Sequence, residues 1–192
     1  CMSIRGKQYG SPHTACDDAK LRQVTNFDMA DGQLQSVLNA GDASSQDYID
    51  ARAYLTHLAL CHTVVSTRNP RKENEIILNA SSPDEMALLN AAKYYGMRFF
   101  ERVGDTMVLE DLGGSSAAPS EVNTDSQGRR VAVNPRAYKL LNVIEFTSDR
   151  KRMTVIVRSP EGTILVLTKG ADSVIFPLLT DGSEALKART TR

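Results

Sequence analysis

The sequence predicts an α+β domain in which an antiparallel sheet carries helices on its flanks. At least five apolar, β-rich segments follow one another in hairpin order, separated by turn signals rather than by the long crossovers that parallel strands need. Two segments with helical periodicity, at 47–65 and 81–96, stand among them. Hairpins interleaved with amphipathic helices bury both kinds of apolar face by packing helices onto a sheet.

Residues 1–46 are mixed and polar, with short strand-like pieces in "MSIRGKQYG" and a loop around "NAGDASSQ". In "DYIDARAYLTHLALCHTVV", 47–65, Ile49, Ala53, Leu55, Leu58 and Cys61 hold a broad apolar helical face. "STRNPRKEN" reads as a charged, turn-rich connector and "EIILNA" as a short strand. The stretch "SSPDEMALLNAAKYYG", 81–96, has a full set of helix signals. Ser82 can cap, Pro83 suits the first helical position, Asp84 and Glu85 suit the positive end of the dipole, and Gly96 suits the stop. "MRFFERV" and "TMVLED" form a hairpin through "GD". Residues 112–130 have no periodicity and read as a mobile surface loop within the domain. Order resumes with "AYKLLNVIEFTS" and then "MTVIVRSPEGTILVLTKG", two strands around an "SPEG" turn. "ADSVIFPLL" is helical until Pro177, and "TDGSEALKARTTR" trails off in polar residues.

The 192 residues fit one domain spanning 1–192, long enough for a proper core. Twenty-three basic and 23 acidic residues cancel, so no global field draws nucleic acid, and any anion site must be local. Cys1, Cys16 and Cys61 form no CxxC pair and imply no disulfide framework, which favours a reducing compartment. His57 and His62, five apart, fall on different helix faces and give no metal site. No apolar run reaches the ~18 residues of a membrane span. The chain begins at Cys1 rather than methionine, which reads as a piece of a longer protein.

Walker A, dinucleotide-binding, nucleophile-elbow, zincin and EF-hand motifs are absent. Three places remain where polar residues meet apolar elements. "IEFTSDRKRM", 144–153, sets Phe146 beside Thr147, Ser148, Asp149, Arg150 and Lys151 between two strands. An aromatic there offers a face for a flat ring, with a hydroxyl and cations to hold ribose and phosphate oxygens; equally, Phe146 suits a core and the charges a solvated turn. Lys169, after the apolar strand "TILVL", is either partly desolvated and ready for an anion or a snorkelling strand-end lysine. Gly170 beside it lets a ligand approach the backbone closely. Glu85 can accept from an exocyclic amine, or complete a capping box with Ser82; the two roles compete for one side chain.

Together "SSPDEMALLNAAKYYGMRFFER", "LLNVIEFTSDRKRMTVIVR" and "TKGAD" resemble the nucleotide-binding domain of P-type ATPases, and best its phospholipid-flipping branch, the type IV enzymes. The resemblance runs from "CMSIRGKQYG" to about Leu179 and is loose over 11–46 and 112–130. It implies an ATP site in which Phe146 stacks on adenine, Lys169 lies in the floor of the adenosine pocket, Glu85 lies near the adenine amine, and Ser148 and Lys151 face ribose and phosphates. Asp149, Arg150 and Arg152 would brace the turn. It implies magnesium with the ATP, its protein ligands mostly in another domain, because the phosphorylated aspartate of D-K-T-G-T and the later D-G-x-x-x-D are not in this chain. A later strand carrying a phosphate-contacting arginine is also not reached.

The partners so implied are the phosphorylation and actuator domains of the parent chain and, through its membrane domain, a phospholipid. The expected place is the cytosolic face of a membrane, within a multi-pass protein. Binding without hydrolysis is expected of the fragment. The rival readings are a non-enzymatic interaction module on the same fold and the equivalent domain of a cation-transporting P-type ATPase.

Overall fold

The computed structural model describes residues 2–10, 31–113, 124–180 and 183–190. β1 (Met2–Ile4) and β2 (Lys7–Tyr9) form a hairpin, and α1 (Gly32–Ala40) and α2 (Gln46–Leu60) follow it. β3 (Val65–Asn69) and β4 (Lys72–Asn79) make a second hairpin ahead of α3 (Pro83–Tyr94). Then comes a five-stranded antiparallel meander in chain order: β5 (Met97–Val103), β6 (Thr106–Asp111), β7 (Pro135–Ile144), β8 (Arg152–Arg158) and β9 (Ile164–Gly170). α4 (Asp172–Ile175) runs into a 3-10 turn at Phe176–Leu178, and α5 (Glu184–Thr190) closes the order. The α+β class and the flanked antiparallel sheet are as expected.

Alternation along the strands decides which face is buried. Met107, Leu109, Tyr138, Met153, Val155 and Val157 point to one side and form the core with Leu55, Ala59 and Leu60 of α2 and Leu89 and Ala92 of α3. Leu55, Leu60 and Leu109 are completely buried, each contributing about 1.5–3 kcal/mol of transfer free energy. The β5–β6 link has Gly104 at φ 58°, a left-handed conformation that a two-residue hairpin turn demands.

Four expectations are corrected. The helix expected over 47–65 ends at Leu60, because Cys61 leaves helical geometry and His62 spends both ring nitrogens on the exit. Its Nε2 meets Ala59 O at 3.0 Å and its Nδ1 accepts from Val64 N at 3.1 Å. The "STRNPRKEN" connector is β3, a turn and the start of β4; Asn69 Oδ1 accepts from Arg71 N at 2.9 Å in that turn. Within the polar opening, α1 forms because Asp31 caps it, accepting from Leu34 N at 2.8 Å, and Leu34 and Leu38 bury one face. The polar tail "TDGSEALKARTTR" contains α5. Of the loop expected at 112–130, residues 114–123 lie outside the described residues, while 124–130 is a tight turn. Thr124 bridges Arg130, and Asp125 Oδ1 accepts from Gln127 N and Arg129 N, both at 2.9 Å.

Candidate functional site

The end of β9, the start of α3 and the connection leaving β7 enclose a cleft of about 760 Å³. Each wall has a local cause. α3 begins where Ser82 Oγ accepts from Asp84 N at 3.2 Å, with Pro83 in the first turn. The capping box expected of Glu85 does not form. Its carboxylate turns into the cleft, accepting from Lys169 Nζ at 3.0 Å, Thr63 Oγ1 at 3.0 Å and Thr63 N at 3.2 Å. An ammonium and a hydroxyl outbid the helix's own N-terminus because Glu85 is only 7% exposed, where an ionised partner counts most. Burial pushes the Glu85 carboxyl up, and the hydrogen bond and charge of Lys169, with Thr63, more than reverse this, so it stays ionised below the usual carboxylate range.

Phe146 stands opposite, on the segment between β7 and β8, with 59% of its surface exposed. Its turn is locally braced. Lys151 N donates to Thr147 O at 2.8 Å, Arg150 N to Thr147 Oγ1 at 3.3 Å, and the Arg150 guanidinium to Glu145 O at 2.9 Å. Arg152 adds a bond to Arg150 O at 3.3 Å. Gly170 ties this turn to β9: a Cβ there would sit 2.6 Å from both Arg152 Cβ and Lys151 O. Its lack of a side chain serves strand packing, not only approach by a ligand. Ala171 N completes the tie, donating to Lys151 O at 3.1 Å.

Of the sequence-predicted residues, Phe146, Lys169 and Glu85 line the one cleft, and Ser148 and Lys151 stand exposed on the turn just beyond its lining. Thr63, Met153, Ser81 and Glu145 also line it and were not anticipated. Thr63 is 22 residues from Glu85, and no spacing pattern links the two. Met153 could have been found, since it pairs with Lys169 in the β8–β9 register.

Behind Lys169 a second cavity of about 350 Å³ is lined by Tyr54, His57, Leu58, Cys61, Leu88 and Ile175, among others. Burial, and then the charge of Lys169, lower the His57 pKa, and burial raises the Cys61 thiol to about 11. Both groups are therefore neutral near pH 7. Among the described residues no three His, Cys, Asp or Glu side chains converge as metal ligands, and no helix is long and apolar enough to cross a membrane.

A cleft with an exposed aromatic wall and a part-buried carboxylate–ammonium pair can hold a flat, amine-bearing ring. Residues 50–184 match the family described as P-type ATPase, cytoplasmic domain N. The human phospholipid-transporting ATPase IK is 34% identical over 92% of this chain and 12% of its own length. The human probable phospholipid-transporting ATPase IM is 32% identical over 98% of this chain and 15% of its own. Probable phospholipid-transporting ATPase 5 of Arabidopsis thaliana is 38% identical over 74% of this chain and 10% of its own. The chain thus spans less than a sixth of the length of these relatives. It belongs to the P-type ATPase family, matching that family's cytoplasmic domain N, and these relatives are phospholipid-transporting ATPases.

Proposed function

We propose that the cleft binds the adenosine end of ATP and that the domain presents the γ-phosphate to an aspartate in another domain of its parent. The observation that carries this is the convergence of exposed Phe146 with the Glu85–Lys169 pair in one cleft. Its volume of about 760 Å³ suits a nucleotide, given the roughly 300–1,000 Å³ of ordinary small-molecule sites. Phe146 offers its face to the base at almost no cost in burial already gained, since most of the ring is bare. Glu85 accepts from the base's amine, and Lys169, held by Glu85, closes the floor. Ser148 and Lys151 serve ribose and phosphates from the turn at the mouth. Magnesium accompanies the phosphates and supplies charge neutralisation there, its protein ligands lying outside this chain.

The domain then contributes binding and orientation, the proximity part of catalysis, and no covalent chemistry. In the parent, phosphorylation of the aspartate would drive a phospholipid from the outer to the cytoplasmic leaflet. Placement on the cytosolic face of a membrane, beside phosphorylation and actuator domains, belongs to the same reading. The test is calorimetric titration of the 192-residue chain with ATP. A Kd on the order of 0.1–1 mM is expected for a solvent-open cleft with one aromatic and one lysine. Loss of a stacking contribution of about 0.5–1.5 kcal/mol in Phe146→Ala would weaken it about two- to twelvefold. Equal affinity of wild type and Phe146→Ala would overturn the stacking role.

A further inference from the structure

Nearer the C-terminal end of α3 than the cleft, a smaller cavity of about 140 Å³ is lined by Ile76, Leu78, Leu89, Asn90, Lys93, Arg98, Phe99, Phe100 and Arg130. It shares no lining residue with the nucleotide cleft. We propose that it is an anion site, built by Lys93, Arg98 and Arg130 for a single phosphate monoester or inorganic phosphate group.

Charge and geometry carry the assignment. Arg98 forms an ion pair with Glu110, and Arg130 lies 3.9 Å from the same carboxylate. Glu110 is fully buried, and its other oxygen accepts from Val133 N at 3.0 Å, so one carboxylate faces two guanidinium groups. Both guanidinium groups also lie against the Phe100 ring, at 5.8 and 5.6 Å from its centroid, which fixes their planes beside the cavity. Lys93 brings a third cation from α3. Burial and mutual repulsion lower the affinity of Lys93 for its proton and that of Arg98, whose pKa falls to about 10. Arg98 and Arg130 share the single Glu110 carboxylate beside Ile76, Leu78, Leu89 and Phe99, so the two guanidinium groups outnumber their anion and a further anion relieves the imbalance.

Guanidinium forks pair bidentately with phosphate oxygens, and an ammonium adds a point charge for a third oxygen. The volume is several times the ~30 Å³ of one water, enough for a phosphoryl group. The chain as a whole is neutral, so the attraction is local to this cavity rather than a general basic field.

The experiment is an amide NMR titration of the whole chain at constant ionic strength. Its arms are inorganic phosphate, a capped neutral phosphoserine tripeptide, the same peptide without phosphate, and sodium chloride. Saturable shifts are expected at Lys93, Arg98, Phe100 and Arg130, with Phe146 and Lys169 unmoved. Saturation by phosphate alone would identify a free anion, and saturation by the phosphopeptide a phosphorylated side chain; either supports the site. Arg98 neutralises buried Glu110 and its loss risks unfolding, so the variants are Lys93→Ala and Arg130→Gln, each expected to raise Kd at least fivefold with the fold retained. No saturation in either phosphate arm, equal shifts with chloride, or unchanged Kd in both variants would overturn the proposal.

Discussion

Replacing Gly170 by alanine tests whether close packing at the end of β9 positions the site. Gly170 pairs with Arg152 across β8 and β9, and the added Cβ would meet Arg152 Cβ at 2.6 Å, Lys151 O at 2.6 Å and Arg152 Cα at 2.9 Å. Carbon atoms ordinarily rest about 3.5–4.0 Å apart, so the strands must separate there by about 1 Å. Two of the three opposing atoms are backbone, so no side-chain rotation relieves the clash. Overpacking of this kind costs about 1–3 kcal/mol. For a domain of this size, 2 kcal/mol lowers Tm by about 4–8 °C. Lys169 moves with its neighbour, and a displacement of about 1 Å stretches its 3.0 Å bond to Glu85 beyond hydrogen-bond range. ATP affinity should therefore fall together with stability. Gly32→Ala is the control: nothing lies within 4 Å of a Cβ there, and the residue opens α1, so it should be neutral or slightly stabilising. Thermal unfolding and ATP titration of both variants decide the matter. A Gly170→Ala chain within 0.5 °C of wild type and with full ATP affinity would refute the reasoning.

Further outcomes follow from other groups. Glu85→Gln keeps the shape of the side chain and removes the charge that holds Lys169, so ATP should bind several-fold more weakly and Tm should fall as Lys169 loses its partner; unaltered binding would remove Glu85 from the site. His62 is pushed by burial from the usual 6.5 to about 4. Its neutral form thus contributes stability that is complete above pH 6.5 and lost as pH falls towards 4. The amount is on the order of 3 kcal/mol. Urea unfolding at pH 7 and pH 4.5 should show the loss, and His62→Gln should reduce the pH dependence. Cys61, with its thiol raised to about 11 and its Sγ donating to Leu167 O at 3.4 Å, should alkylate on the order of a hundredfold more slowly than an ordinary thiol. Mass spectrometry of its peptide, native against urea, checks this. The chain with ATP and magnesium should release no phosphate above the uncatalysed background in a colorimetric assay.

Elements that bury a regular face were legible. α3 has its caps and Leu89 and Ala92 on one side, and β8 alternates Met153, Val155 and Val157 into the core. β3 and the start of β4 were obscured because hairpin pairing holds them and "STRNPRKEN" is rich in charged and turn-forming residues, whereas "EIILNA" read as a strand. α1 buries only Leu34 and Leu38, and its decisive support is distant: Asp31 N donates to Tyr95 Oη at 3.0 Å. The helix end at Leu60 depended on a histidine folding back onto its own backbone. Phe146 and Lys169 stood out as candidates because an aromatic and a lysine at strand ends break the pattern of their surroundings, but the pattern alone left a core ring and a snorkelling lysine open. Glu85 was ambiguous for a physical reason, since its position in the first turn suits a cap as well as a ligand. Only Thr63 and Lys169, supplied by the tertiary fold, settle where its carboxylate points.

The most direct test is a two-dimensional amide NMR titration of the chain with ATP, repeated on Phe146→Ala and Lys169→Ala. Saturable shifts are expected around Glu85, Phe146, Lys169 and Gly170, weakened in both variants while their spectra remain dispersed. Shifts that gather elsewhere, or none at several millimolar ATP, would contradict the assignment of this cleft to adenosine.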